Sequence, residues 1–155
     1  MSIEVGQEAP DFTLRDQDGN EVTLSSFRGQ KPTVIVFVPF AFTAVCQGEF
    51  CELRDDLTSF EDAGVQVLGI TCDRQPTLKE WATQQGFNFP VLSDGWPHGA
   101  VSQAYGAFNE ALGCANRRTV VVDRDGRVAD IFETDNLRTP RDKARYQEAL
   151  SSLAA

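Results

Sequence analysis

Thr33-Val34-Ile35-Val36-Phe37-Val38-Pro39 decides the reading of the fold. This unbroken β-branched and aromatic run has no polar face, which predicts a strand buried on both sides. Pro39 ends it. Beyond it, Phe50, Leu53, Leu57 and Phe60 recur three and four residues apart. That spacing predicts one helix with a single apolar stripe, stopped by Gly64. Val65-Gln66-Val67-Leu68-Gly69-Ile70 then reads as a second central strand. A strand, a helix and a second buried strand make a parallel unit with a right-handed crossover.

Upstream, Phe12–Leu14 and Glu21–Leu24 read as short strands around the turn Asp18-Gly19-Asn20. Downstream, Thr77–Gln85 reads as a helix, with Pro76 near its start and Gly86 as its stop. Phe89–Leu92 is a short extended piece and Gly99–Tyr105 a short helix. Thr119–Asp123 and Arg127–Phe132 form a hairpin on Arg124-Asp125-Gly126, and Arg141–Leu153 closes the chain as a helix. The order predicts an α/β fold: a mixed central sheet, helices on both faces and an N-terminal β-hairpin. Residues 1–155 are expected to form one domain.

The 155 residues include eleven Phe, enough with Val, Leu and Ile to fill a core without disulfides or metals. A formal net charge of −9 repels phosphate backbones and anionic lipid heads, so neither nucleic acid nor membrane is an expected partner. The start Met1-Ser2-Ile3-Glu4-Val5-Gly6 carries no basic stretch followed by an apolar run, and no apolar run reaches spanning length. A cytoplasmic location is expected. There, thiols stay reduced, so the four cysteines (Cys46, Cys51, Cys72 and Cys114) are not expected to form a structural disulfide framework. None of them pairs at two-residue spacing, and His98 is the one histidine, so neither a zinc site nor another cofactor is expected.

Chemistry concentrates in Pro39-Phe40-Ala41-Phe42-Thr43-Ala44-Val45-Cys46, which leads from a strand end into a helix. Ligands of open α/β sheets bind at such ends. The positive helix start and its free N–H groups favour a thiolate. Free cysteine has a pKa of about 8.5, lowered at reactive sites to roughly 3.5–7.5. A helix end contributes only about 0.3–1 kcal/mol, up to roughly 2 when partly buried, so an additional cation is expected. Thr43 is the local hydroxyl that could bond both the sulfur and a bound ligand. A cysteine at such a junction can equally be a small buried hydrophobe.

Pro39, Thr43 and Cys46 match the Pro-x-x-x-Thr-x-x-Cys signature of the peroxiredoxins. The surrounding Phe42–Glu49 segment resembles the alkyl hydroperoxide reductase E subfamily of actinobacteria. So do Ala9–Leu14, Trp81–Gln84, Ser93–Ala100 and Asn116–Thr119, and the likeness covers nearly the whole chain. The resemblance implies a thioredoxin-like fold and a thiol-dependent peroxidase. It makes Cys46 the peroxidatic cysteine, shielded by Pro39, with Thr43 bonding the peroxide. Arg117, in the pattern Arg-x-Thr entering a strand, would be the missing cation. Neighbouring strand residues point to opposite faces, so only one of Arg117 and Arg118 can serve, and Arg118 is read as a solvated charge. Glu49 matches a recurrent family glutamate and would orient Arg117; it could also be an ordinary acidic residue in a helix's first turn. Trp96 and His98 match a subfamily block and would line the site or a dimer interface.

Cys51 departs from that subfamily. Its position five residues after Cys46 resembles another group, PrxQ (bacterioferritin comigratory protein), where such a cysteine resolves the sulfenic acid within the chain. The Pro-Gly common there is replaced by Ala44-Val45. In an intact helix five residues give about 7.5 Å of rise and roughly 140° of rotation, hence Cα atoms about 8–9 Å apart. A disulfide needs less than about 7 Å, so bonding Cys46 to Cys51 requires the helix start to unwind. Gly48 weakens helix there by about 1 kcal/mol relative to Ala. The alternatives are a passive Cys51 with an external thiol resolving Cys46, a thiol–disulfide oxidoreductase or redox sensor, and a non-enzymatic domain of the same fold. Cys72 is expected to pack, and Cys114 is a weaker resolving candidate. The implied partners are a peroxide (hydrogen peroxide, an organic hydroperoxide or peroxynitrite), a reductant such as thioredoxin or mycoredoxin with mycothiol, and a second copy of the chain in a homodimer, a monomer being the alternative.

Overall fold

In the computed structural model, which describes residues 3–154, Asp16 builds the first turn. Met1, Ser2 and Ala155 lie outside the described residues, and with them the start of the segment read for a targeting signal. The Asp16 carboxylate accepts the N–H groups of Asp18 and Asn20 at 2.9 and 3.0 Å, and Gly19 takes a left-handed φ of 82°. The turn joins β1 (Thr13–Arg15) to β2 (Glu21–Thr23) in antiparallel register, Leu14 opposite Val22. This is the expected N-terminal hairpin; Leu24 leaves it to open a 3-10 turn over Leu24–Phe27.

The central strand β3 (Thr33–Phe37) is buried at every residue. Its Val and Ile side chains each gain about 1.5–3 kcal/mol from leaving water. Helix α1 (Ala44–Asp55) follows, then α2 (Leu57–Asp62). The single expected helix is thus broken at Asp56, whose φ of −97° and ψ of 6° are not helical. The stripe survives the break, because Phe50, Leu53, Leu57 and Phe60 are all buried. Gly64 turns left-handed at φ 71°, and Val65 donates back to the Phe60 carbonyl, which ends the pair of helices as expected.

Strand β4 (Gln66–Thr71) lies parallel to β3. Helix α3 (Gln75–Gln85) has Pro76 in its first turn and Gly86 at its end with φ 67°. Strand β5 (Val91–Ser93) runs parallel to β4, and α4 (Ala100–Ala104) follows. A small pair unread in the sequence, β6 (Phe108–Asn109) and β7 (Cys114–Ala115), precedes the hairpin β8 (Arg118–Val122) and β9 (Val128–Glu133). Helix α5 spans Lys143–Ala154. It starts two residues later than expected, because Arg141 is withdrawn into the interior.

The seven-stranded sheet runs β2-β1-β5-β4-β3-β8-β9. The pairs β3/β4 and β4/β5 are parallel, and β3/β8 is antiparallel, so the sheet is mixed. One face holds Val34, Val36 and Val38 against α1, α2, α3 and α5. The other holds Ile35 and Phe37 against Phe12, Leu24, Tyr105 and the α4 residue Val101. Phe50 fastens α1 to the sheet. Its ring stacks on Trp81 at 5.2 Å and lies across Gly69, where an added Cβ would come within 2.6 Å of it.

Candidate active site

The site forms where β3 ends. Pro39 is buried, and the Ala41 N–H donates to the Asp73 carboxylate at 2.8 Å, tying this loop to the end of β4. Phe42 takes a left-handed φ of 65°, which costs a non-glycine residue about 1–3 kcal/mol. That turn sets Thr43 in extended geometry as the residue before α1. The Thr43 hydroxyl donates to the Phe40 carbonyl at 2.7 Å and not to the sulfur. Its lone pairs therefore remain free to accept a hydrogen bond from a ligand.

Cys46 is the third residue of α1 and is fully buried. It belongs to the first turn, whose N–H groups lack intrahelical partners. Its Sγ accepts a hydrogen bond from Arg117 Nη2 at 3.2 Å. Arg117 reaches it because β8 pairs with β3, Arg118 opposite Phe37, so the residue before β8 sits at the end of β3. The Arg117 Nε donates to the Leu137 carbonyl and Nη1 to Glu49 Oε1, both at 2.7 Å. Arg118 turns to the other side, where it pairs with Glu133 at 3.0 Å and donates to the Tyr105 carbonyl. It is half-buried and engaged, a correction to the solvated charge expected from the sequence.

Glu49, one turn after Cys46, is buried and carries a second guanidinium that sequence reasoning missed. Arg141 donates to Glu49 through its backbone N–H, Nε and Nη2 at 2.7, 3.0 and 2.7 Å. Its Nη1 donates to the Phe37 carbonyl. Read as a helix start, Arg141 has no spacing signal. The clue lay in Glu49, whose neighbour Phe50 belongs to the apolar stripe: if Arg117 also serves the thiol, a carboxylate buried there has acceptor sites left for a further donor. Burial works against ionising Glu49, but the hydrogen bonds and charge of Arg141, with the charge of Arg117 behind them, hold its carboxyl below the usual carboxylate range.

Two guanidiniums against one carboxylate leave this buried cluster with one positive charge. An anionic sulfur at Cys46 neutralises it, and a neutral thiol does not. Pro39, Phe40, Thr43, Ala44, Val45, Arg117, Leu137 and Arg138 line a cleft of about 230 Å3, with Cys46 buried behind Val45 in the chain and not itself in the lining. The cleft admits a small molecule next to the arginine.

The other thiols lie elsewhere. Cys51 is half-buried on α1, its Sγ 3.7 Å from Gln85 Oε1 of α3, and is not bonded to Cys46. Burial pushes the Cys72 thiol up to about 11, against the pull of its Ser102 contact. Burial likewise pushes Cys114 up to about 11, against the pull of Arg117. Both are poor nucleophiles at neutral pH. Trp96 is exposed and packs edge-on against His98 at 4.7 Å, and neither lines the cleft. Among the described residues, no cluster of three or more His, Cys, Asp or Glu side chains could hold a metal ion. Also among them, no helix is long and apolar enough to cross a membrane.

A profile of the AhpC/TSA family matches residues 5–131. The chain belongs to the AhpC/TSA family. It is 52% identical over 155 residues to alkyl hydroperoxide reductase E of Mycobacterium tuberculosis, covering 99% of each chain. It is 34% identical over 137 residues to peroxiredoxin Bcp of Escherichia coli, covering 84% of this chain and 86% of that one. Among solved structures it is similar to peroxidoxin BcpB of Mycobacterium tuberculosis, with a TM-score of 0.85 and 30% identity over 97% of this chain and 96% of that one. The reduced 2-Cys peroxiredoxin of Plasmodium vivax gives a TM-score of 0.87 at 26% identity, over 97% of this chain and 82% of that one. The fold is thus the expected thioredoxin-like peroxiredoxin fold, and this peroxiredoxin is a thiol-dependent peroxidase, with a peroxide as substrate and a thiol as reductant.

Proposed function

We propose that Cys46 is the peroxidatic nucleophile of this peroxiredoxin and that Cys51 resolves it. The observation that carries the first half is the 3.2 Å hydrogen bond from Arg117 to Cys46 Sγ, backed by the buried Glu49–Arg141 pair. The sulfur anion attacks the terminal oxygen of a peroxide held in the cleft. An S–O bond forms, the O–O bond breaks, and the departing alkoxide or hydroxide takes a proton from solvent and leaves as alcohol or water. The second guanidinium N–H edge of Arg117 stabilises charge on the two oxygens as they separate. Thr43 accepts a hydrogen bond from the terminal O–H, which keeps its hydrogen, the Thr43 proton being committed to Phe40. Pro39 walls the cleft against water, and Glu49 holds Arg117 in place.

The Cys46 sulfenic acid is then attacked by Cys51, which gives an intramolecular disulfide. The start of α1 must unwind first, since both cysteines stand on one intact helix. Gly48 lies between them and supplies the weak point. An external thiol reopens the disulfide, from thioredoxin or from mycoredoxin with mycothiol. Hydrogen peroxide, organic hydroperoxides and peroxynitrite all suit a cleft of this size. The enzyme works in the cytoplasm as a homodimer. The competing one-cysteine reading is favoured by the intact helix that carries both cysteines unbonded.

Intact mass after one equivalent of peroxide separates the two. Loss of two hydrogens, with a peptide map joining Cys46 to Cys51, is the expected result. Gain of one oxygen at Cys46 with Cys51 still alkylatable makes this a one-cysteine enzyme. Cys46→Ser abolishes turnover on this account. Cys51→Ser keeps the first oxidation and slows recycling, and normal recycling by that variant overturns the resolving role.

A further inference from the structure

Helix α1 is held unevenly along its length. From Glu49 onward it is anchored by the Arg141 fork and by Phe50, stacked on Trp81. Before Gly48, its side-chain ties are the Arg117 contact to Cys46 and the hydrogen bond that Gln47 Oε1 accepts from Trp81 Nε1 at 3.1 Å. Thr43 gives the helix no side-chain cap, and its first turn has no acidic residue. On the resolving reading proposed above, unwinding would therefore stop at Gly48, with Cys46 travelling and Cys51 waiting in a folded helix. A waiting nucleophile is useful only if its surroundings aim it and tolerate charge on its sulfur.

Cys51 has such surroundings, and the peroxidase site does not use them. Its thiol faces the side-chain amide of Gln85, the last residue of α3, at 3.7 Å. An amide can present either its oxygen or its N–H groups, so it can serve a thiol and an anionic sulfur in turn. Arg54 stands three residues after Cys51 on the same helix face, where side chains are neighbours. It spans the same junction, donating to the Gln85 carbonyl at 2.5 Å and pairing with Asp55 at 2.9 Å. The Asp55 hydrogen bond favours the charged form of Arg54 over its partial desolvation, and a negative charge placed on Cys51 during attack would favour it further.

We propose that Gln85 and Arg54 are positioning residues for the resolving step: Gln85 aims the Cys51 sulfur, and Arg54 stabilises the negative charge on it during attack. This inference rests on the reading of Cys51 as the resolving residue. In the step itself, the Cys51 sulfur bonds to Cys46 Sγ and the S–O bond of the sulfenic acid breaks. The departing hydroxide takes the proton Cys51 gave up, so the products are one disulfide and one water. No other oxidant or reductant enters.

Two measurements separate this inference from the reading beneath it. The first is alkylation of reduced Cys51 by iodoacetamide in a Cys46→Ser background, followed by peptide mapping. Arg54→Met should slow it roughly two- to fivefold, the range of a partly exposed ion pair, and Arg54→Lys should restore most of the loss. Unchanged alkylation in Arg54→Met overturns the inference, whatever Cys51 does in turnover. Failure of Arg54→Lys to restore it also overturns the electrostatic role, since Lys keeps the charge but loses the fork that merely caps α3. The second is quenched-flow mass spectrometry of the protein with Cys46 intact. Arg54→Met and Gln85→Leu should form the Cys46 sulfenic acid at the wild-type rate and the disulfide more slowly. If the wild type forms no Cys46–Cys51 disulfide, the resolving reading fails and the inference falls with it.

Discussion

Glu49 shares one carboxylate between two buried guanidiniums, and that ratio makes it the most consequential residue of the site after the thiol. Glu49→Gln leaves two buried positive charges with no carboxylate between them. It should cost about 3–5 kcal/mol of stability, read as a fall in the urea midpoint. The same residue sets an acid limit. Its folded carboxyl titrates below its unfolded counterpart, so the unfolded state binds the proton first. The stability it supplies is complete above the ordinary glutamate value of about 4.3 and is lost as pH falls through the lower folded value. Urea midpoints taken at falling pH should drop more steeply for the wild type than for Glu49→Gln. Arg117→Met removes the donor to the sulfur and should slow the first oxidation about 10²- to 10³-fold in stopped flow, with Glu49 still paired to Arg141. Arg117 was legible because the family resemblance named it, strand alternation saying only that one of Arg117 and Arg118 could serve. Arg141 was not, because its partner lies 92 positions away in the chain and an arginine before a helix has no pattern of its own.

At the scale of elements, the proposed resolution by Cys51 requires α1 to be firm enough to place Cys46 and loose enough to release it. Gly48 meets nothing within 4 Å, so Gly48→Ala acts through helix propensity alone. It should stiffen α1 by about 1 kcal/mol and slow disulfide formation ~fivefold, while the first oxidation keeps its rate. An unchanged rate of disulfide formation would mean that α1 does not unwind there. Gly69→Ala drives a methyl into the Phe50 ring and should destabilise by about 1–3 kcal/mol, measured by thermal unfolding. The buried strands and the helix stops at Gly64 and Gly86 were readable from hydrophobic runs and left-handed glycines. The break at Asp56 was not, because the apolar stripe runs through it unchanged. Nor was the late start of α5, which follows from the Arg141–Glu49 contact. The β6–β7 pair escaped because two residues are too few to show a period.

At the scale of the molecule, the sheet brings together groups that the chain keeps far apart. The end of β3, the start of α1 and the entry to β8 meet at one edge, where Cys46 and Arg117 touch across 71 positions. A mixed sheet with an N-terminal hairpin was foreseeable from the order of runs. Family resemblance named Thr43, Cys46 and Arg117 together, whereas their meeting point depends on the antiparallel register of β8 on β3. If the homodimer reading holds, sedimentation should give twice the 17.1 kDa of one chain, and a 17.1 kDa species would contradict it. The central claim is that this assembly turns Cys46 into a peroxide-reactive thiolate. Its most direct test is the second-order rate at which the fully reduced protein consumes hydrogen peroxide at neutral pH, followed by tryptophan fluorescence. The account predicts one equivalent consumed, orders of magnitude faster than by free cysteine, and no such phase in Cys46→Ser; a rate equal to that of free cysteine, or one that survives Cys46→Ser, would contradict it.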